Sequence, residues 1–218
     1  MQKDILKNKT LDREFYLAPA LSVSADLLGK LLVHETAEGI TAGMIVETEA
    51  YIGPDDDGAH SYGGRRTART EIQFGIGGYS YVFPIYGMYY CFNAVLGEEN
   101  KPEVALIRAL EPVCGLELME KRRGTDKLQN LCSGPGKLCQ AMGIGKEQYG
   151  LDLCGSSLYI ADYKSFTPEQ IALSPRINID YAEKCRDYPW RFYVKHNPNV
   201  SRVQKRFTAV GTLNEIKP

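Results

Sequence analysis

Strand candidates crowd one part of this chain, and that crowding limits the folds open to it. Residues 30–35, 41–46, 79–83, 88–96 and 103–109 all read as strands, and the first two are joined by the hairpin signal Ala37-Glu38-Gly39. Helices are few and do not alternate with these strands as a βαβ fold requires. The pattern therefore predicts an α+β fold: one domain with a curved antiparallel sheet flanked by a few short helices. A helix over 20–28 is stopped by Gly29. Glu111-Pro112 predicts the start of another running to Arg123 and closed by Gly124, since proline suits a first helical turn. Ser133-Gly134-Pro135-Gly136-Lys137 leads into a third helix ending at Gly143, and short strands near 157–161 and 191–195 complete the pattern. With 218 residues the chain can bury one sizeable core, so a single domain over 1–218 is expected, with 1–14 and 204–218 as tails.

Several function classes drop out. There is no dinucleotide fingerprint and no phosphate-loop lysine motif. The amino terminus lacks an apolar stretch of signal-peptide length, and no window approaches the roughly 18 apolar residues of a membrane span. No membrane partner and no secretion are expected; the location is cytoplasmic (nucleoid-associated) in a prokaryote or nuclear in a eukaryote. The cysteines Cys91, Cys114, Cys132, Cys139, Cys154 and Cys185 show no zinc-ligand spacing and read as reduced thiols, so no metal site is expected. A net charge of −1 does not advertise a nucleic-acid partner, leaving local charge to make that case. No exposed apolar helix stripe stands out, and a monomer is expected.

The sharpest chemical pattern is Val46-Glu47-Thr48-Glu49-Ala50-Tyr51. In a strand, side chains two apart share a face, so Glu47, Glu49 and Tyr51 point one way with Ile45, and Val46, Thr48 and Ala50 the other. The two carboxylates then stand about 6–7 Å apart at their Cα atoms. A solvated strand edge would present acids to water in the same pattern. Ile45 and Tyr51 on that face argue instead for partial burial, and a partly buried carboxylate needs a partner or a chemical task.

Downstream, His60 lies in a loop over 53–72 that carries Asp55-Asp56-Asp57 and then Arg65, Arg66 and Arg69. A loop histidine serves most simply as a structural hydrogen-bonder; stacking on a base is the sharper role. Tyr79, Tyr81 and Phe83 share one strand face. Pro84 is expected to interrupt the ladder and Gly87 to permit a tight turn, which makes Ile85-Tyr86-Gly87-Met88 an exposed tip. Tyr86 there is either a plain surface aromatic or a wedge of the kind that unstacks duplexes. Basic residues gather at Lys121-Arg122-Arg123 and among Lys184, Arg186, Arg191, Lys195, Arg202, Lys205 and Arg206. Phosphate contact needs positive charge on one face only, and interleaved aromatics add stacking surface. The residues alone leave three functions open: an enzyme that grips a nucleobase and activates water beside it, a carbohydrate hydrolase using Glu47 and Glu49 as its acid–base pair, and a nucleic-acid binding module without catalysis.

A series of motifs carries a resemblance. Residues 45–54 (IVETEAYIGP), Ala59-His60-Ser61, Ile85-Tyr86-Gly87-Met88-Tyr89 with Asn93, Ile107-Arg108-Ala109-Leu110-Glu111-Pro112, Leu131-Cys132-Ser133-Gly134-Pro135, Lys137-Leu138-Cys139-Gln140-Ala141 and Arg191-Phe192-Tyr193-Val194 resemble, in order, the alkyladenine (3-methyladenine) DNA glycosylases of the mammalian type. The resemblance runs from about Phe15 to Val203. It implies base excision repair: a damaged purine flipped from double-stranded DNA and its N-glycosidic bond hydrolysed, with no cofactor. It implies Glu49 as the base that activates water and Arg108 as the residue that helps organise it. Tyr51, His60 and Phe83 would line the base pocket, and Asn93 would crowd out the exocyclic amine of normal guanine. Tyr86 would fill the gap left in the duplex, with Met88, Arg65 and Arg66 also on the DNA. Phe83 departs from the tyrosine that some relatives carry, which removes a hydroxyl but leaves a stacking ring. Pro84 is a second departure. No lysine stands beside Glu49 in the sequence to form a Schiff base, so a purely hydrolytic enzyme is expected.

Overall fold

The hairpin read near the amino end forms, but its second strand runs much further than the turn signals suggest. β1 (Leu31–Thr36) pairs with β2 (Gly39–Ile52), and β2 continues for 14 residues through the whole acidic motif. The computed structural model describes residues 9–201 and 211–212. Beyond β2 lie β3 (Ser80–Ile85), β4 (Tyr89–Leu96), β5 (Glu103–Cys114), β6 (Leu158–Ala161), β7 (Ile171–Ser174), β8 (Arg191–Val194) and β9 (Gly211–Thr212). The helices are α1 (Ala20–Asp26), α2 (Leu116–Arg123), α3 (Leu128–Leu131) and α4 (Pro135–Met142). All named strand pairs are antiparallel, in the order β3-β4-β5-β2-β8-β7-β9, with β1 and then β6 branching from the first half of β2. The architecture is α+β in a single domain.

β2 is therefore the strand on which everything else is hung, paired along one edge with β5 and along the other with β1 and then β8. Its register against β5 shifts twice near the acidic motif, leaving Val46 and Arg108 each without an opposite residue. Such bulges rephase a strand. Here they put Ile45 and Val46 both into the apolar core, so Ile45 does not share the fate of Glu47 as simple alternation predicts. The core lies on the face carrying Ala50, Phe92, Ala94 and Ile107, against residues such as Val23 of α1 and Leu138 of α4. Burying a side chain of this size contributes about 1.5–3 kcal/mol. Thr48 faces the same way and donates to the Ser24 carbonyl at 2.6 Å.

Two local readings are corrected. Residues 111–114 extend β5 and do not open a helix; Pro112 lies opposite Gly43 where the register shifts, an irregularity that accommodates a residue with no N–H to give. The turn into α2 falls at Gly115 (φ +76), where a Cβ would sit 2.3 Å from the Ile40 carbonyl oxygen. Pro84 does not end the β3 ladder either, for Pro84 pairs with Tyr90 and Ile85 with Tyr89. β3 closes one end of the sheet, where proline is tolerated.

Both expected tails touch the sheet: Thr10 bridges to Ala161, and residues 211–212 pair with β7. The basic residues Arg202, Lys205 and Arg206 lie outside the described residues. All six cysteines are free thiols, and no described helix is long and apolar enough to cross a membrane.

Candidate active site

The face of the sheet opposite the core carries the site, and strand register assembles it. Glu49 of β2 is opposite Leu106 of β5, Leu106 is opposite Asn93 of β4, and Asn93 is opposite Tyr81 of β3. At about 4.8 Å per strand, this row spans about 14 Å. One step along, Phe83 faces Cys91; Tyr51 faces Val104 on the other side of Glu49. A cavity of about 690 Å³ opens over this row, lined by Tyr51, His60, Phe83, Asn93, Tyr86 and Arg108. Those are six of the residues singled out in the sequence. Tyr81, Cys91, Ile177 and Tyr181 line it as well and were not singled out as pocket residues.

Glu49 is fully buried and is held one hydrogen bond behind the cavity wall. Its Oε2 accepts from the Tyr51 hydroxyl (2.9 Å) and from Arg108 Nη1 (3.3 Å), and its Oε1 accepts from the Ile177 backbone N–H (2.8 Å). All three donors belong to residues that line the cavity. A carboxylate has about four acceptor positions, so three donors orient this one without exhausting it. Burial, and then the charge of Glu49, raise the Tyr51 phenol well above its ordinary value, keeping it a donor. Arg108 stays charged: burial works against it, but Glu49 and Glu47 outweigh that and raise it further.

Glu47 is equally buried and, like Glu49, does not itself line the cavity. It accepts from Arg108 Nε (3.2 Å), Arg191 Nε (2.7 Å), and both the backbone N–H and the hydroxyl of Ser201 (2.8 Å each). Burial alone would raise this carboxyl, yet Arg108 and Arg191 hold it below the usual carboxylate range.

The aromatic wall is a packed cluster. Phe83 meets His60 edge-on at 4.7 Å and lies tilted against Tyr81 at 5.2 Å, while His60 Nδ1 is 2.8 Å from the Tyr81 hydroxyl. Burial first, and then Arg69 and Arg65, lower the His60 imidazole below its ordinary value, so it is neutral at neutral pH. Burial pushes the Cys91 thiol up to about 12, leaving it an unreactive wall residue. Asn93 is tied by its Nδ2 to the Tyr81 carbonyl at 3.0 Å, which fixes the amide where it meets the cavity.

The hairpin tip stands clear of the fold. Tyr86 is 81% exposed and Met88 71%. Tyr86 adopts φ +49, a left-handed conformation that costs an ordinary residue about 1–2 kcal/mol. The three arginines of the loop differ: Arg66 is held by Glu71 at 2.6 and 2.9 Å and lies over the Phe74 ring, whereas Arg65 and Arg69 line a second cavity of about 550 Å³ beside His60. Lys137 reaches the cavity rim with its ammonium 2.5 Å from Asn130 Oδ1.

Sequence reasoning passed over Arg176, which does much of the bracing. Its guanidinium meets Asp56 through two bonds of 2.5 and 2.7 Å, donates to the Ala50 carbonyl at 3.0 Å, and packs over the rings of Tyr51 and Trp190. Gly58 leaves room for it, since a Cβ there would lie 2.9 Å from Arg176 Nη2. Asp56, Asp57 and Cys185 come close enough together to suggest a metal set. Asp56 is neutralised by Arg176, and Asp57 accepts three backbone N–H groups from residues 183–185. The only signal for Arg176 lay in the acidic run at 55–57, which needed a cation from somewhere.

Fold and site together define a class: a single-domain α+β enzyme with a carboxylate–arginine centre behind an aromatic-walled pocket. A model of the methylpurine-DNA glycosylase family matches residues 14–198, and the chain belongs to that family of hydrolytic N-glycosylases. Among its relatives, a Desulfitobacterium hafniense protein is 49% identical over 88% of this chain and 98% of its own length. A Clostridium acetobutylicum protein is 50% identical over 89% and 98%, and a Bacillus cereus protein 51% identical over 86% and 97%. Each bears the name "Putative 3-methyladenine DNA glycosylase".

Proposed function

We propose that this enzyme is a monofunctional glycosylase that takes a damaged purine from duplex DNA into the cavity beside His60 and Phe83 and hydrolyses its N-glycosidic bond with water activated by Glu49. The observation that carries this reading is the setting of Glu49: a buried carboxylate oriented by Tyr51, Arg108 and the Ile177 N–H, with acceptor capacity left for a water proton. Water adds its oxygen to C1′ of the sugar and gives a proton to Glu49, while the C1′–N9 electron pair leaves with the base. An N3- or N7-alkylated purine is cationic, so it departs neutral and one carboxylate suffices where ordinary glycosidases need a pair. Negative charge at Glu49 also stabilises the positive charge developing on the sugar.

Extruding a base costs a few kcal/mol, least for a damaged one, so selectivity is shared between extrusion and the pocket. Phe83, Tyr81 and His60 supply flat surfaces, the fixed Asn93 amide discriminates against guanine's amine, and the exposed Tyr86 is suited to fill the vacated stack. A carbohydrate hydrolase reading lacks its second carboxyl group, because Glu47 already accepts four hydrogen bonds from Arg108, Arg191 and Ser201, about as many as a carboxylate can take.

Single-turnover release of hypoxanthine, ethenoadenine and methylated purines from duplexes tests the proposal. Glu49→Gln is expected to lower the rate by about 10²–10⁴-fold with lesion binding retained. Undiminished release by this variant removes Glu49 from its role. Lesion binding by wild type without release from any duplex identifies a binding module.

A further inference from the structure

We infer that Glu47 is a positioning residue for this reaction: it grips Arg108 so that Arg108 in turn orients Glu49, an inference that rests on the glycosylase reading above. Glu47 shares the strand face of Glu49 but never touches it, and the Arg108 guanidinium lies between them. Nε of Arg108 meets Glu47 and Nη1 meets Glu49. A guanidinium is a rigid planar fork, so fixing one edge fixes the other. Arg108 stands at a bulge, where the regular ladder does not dictate its placement.

Charge adds a second reason. Glu47 and Glu49 face Arg108 and Arg191, two anions against two cations in a region closed to water. Removing the Glu47 charge leaves Arg108 with Glu49 as its sole anionic partner. The guanidinium is then free to swing onto Glu49 and take the acceptor position a water needs. Arg191 extends the control, for its Nη1 donates to Ser174 Oγ, at the start of the segment whose Ile177 N–H holds the other oxygen of Glu49. Ser201 seats the end of the following segment on the same carboxylate. One buried glutamate thus gathers β5, β8 and residue 201 around the carboxylate two positions further along β2.

The test separates rate from binding. Full-length Glu47→Gln is expected to bind a duplex carrying one 7-methylguanine within about 3-fold of wild type, yet release base about 10–100-fold more slowly in single turnover, the scale of effect that a misplacement of about 1 Å produces. In an Arg108→Lys background, which has no fork to hold, the same change is expected to cost less than about 3-fold. Multiplicative losses in the double variant, or equal loss of binding and rate, overturn the inference in favour of a merely structural role. Should Glu47→Gln fail to fold, Ser201→Ala decides: it removes one donor to Glu47 and keeps the charge. A 2–5-fold slower release at unchanged duplex affinity is expected, absent in Arg108→Lys, and a wild-type rate overturns the inference. Failure of wild type itself to release any base would instead overturn the glycosylase reading.

Discussion

At the scale of single residues, the site depends on charges that are buried but never alone. Arg176 and Asp56 are both closed to solvent and meet through two hydrogen bonds, with Asp56 also accepting from the N–H groups of Ile52 and Gly58. A buried pair of this kind contributes little beyond what a hydrophobic replacement would, yet removing one partner strands the other. Asp56→Asn is accordingly expected to cost about 3–5 kcal/mol, read as a lower midpoint in urea unfolding. Because Arg176 also packs on Tyr51, the surviving folded fraction should show slowed base release as well. The sequence displayed Asp56 only as one of three adjacent acids, and nothing near it in the chain pointed 120 residues ahead to its partner.

Among the elements, the β3–β4 hairpin carries the clearest conflict between stability and use. Its face alternates as the sequence predicts, with Tyr81 and Phe83 on one strand and Cys91 and Asn93 on the other, all toward the cavity. Its tip breaks the rules of good turns by placing an exposed tyrosine at positive φ. Local strain of this kind is kept where it serves a function. Tyr86→Gly is expected to stabilise the fold by about 0.5–1 kcal/mol in thermal or urea unfolding, since glycine accepts this conformation freely. The same change should weaken binding to a lesion duplex about 10-fold or more, as lost stacking on a base typically does. A variant that is both more stable and equally tight would remove the wedge role.

For the whole molecule, net charge is a poor guide: −1 overall conceals where the cations stand and which of them are engaged. Arg108, Arg176 and Arg191 are spent inside on carboxylates, and Arg66 is spent outside on Glu71. Arg65 and Arg69 instead line the second cavity beside His60, close enough to depress its proton affinity. If duplex DNA crosses this face, Arg65→Ala should reduce the slope of log affinity against log salt concentration by about 1, and Arg66→Ala by distinctly less. Equal slopes for wild type and Arg65→Ala would place the duplex elsewhere.

The fold class and part of the pocket wall were legible in the chain. Short-range periodicity carried the strands: side chains alternate with period two, so Glu49 and Tyr51, or Tyr81 and Phe83, share a face wherever the strand lies. The motif series likewise singled out His60, Asn93 and Arg108 without coordinates. The strand pattern alone left Glu47 and Glu49 equivalent, and the motif series pointed to Glu49. What the fold adds is the two bulges at Val46 and Arg108, invisible to any periodic reading, which set Arg108 between the two carboxylates. Pairings over long separations, Arg176 with Asp56, Arg191 and Ser201 with Glu47, and Ile177 with Glu49, were beyond reach for the same reason. A hydrogen bond is specified by where strands end up side by side, and one residue of register shift redirects it.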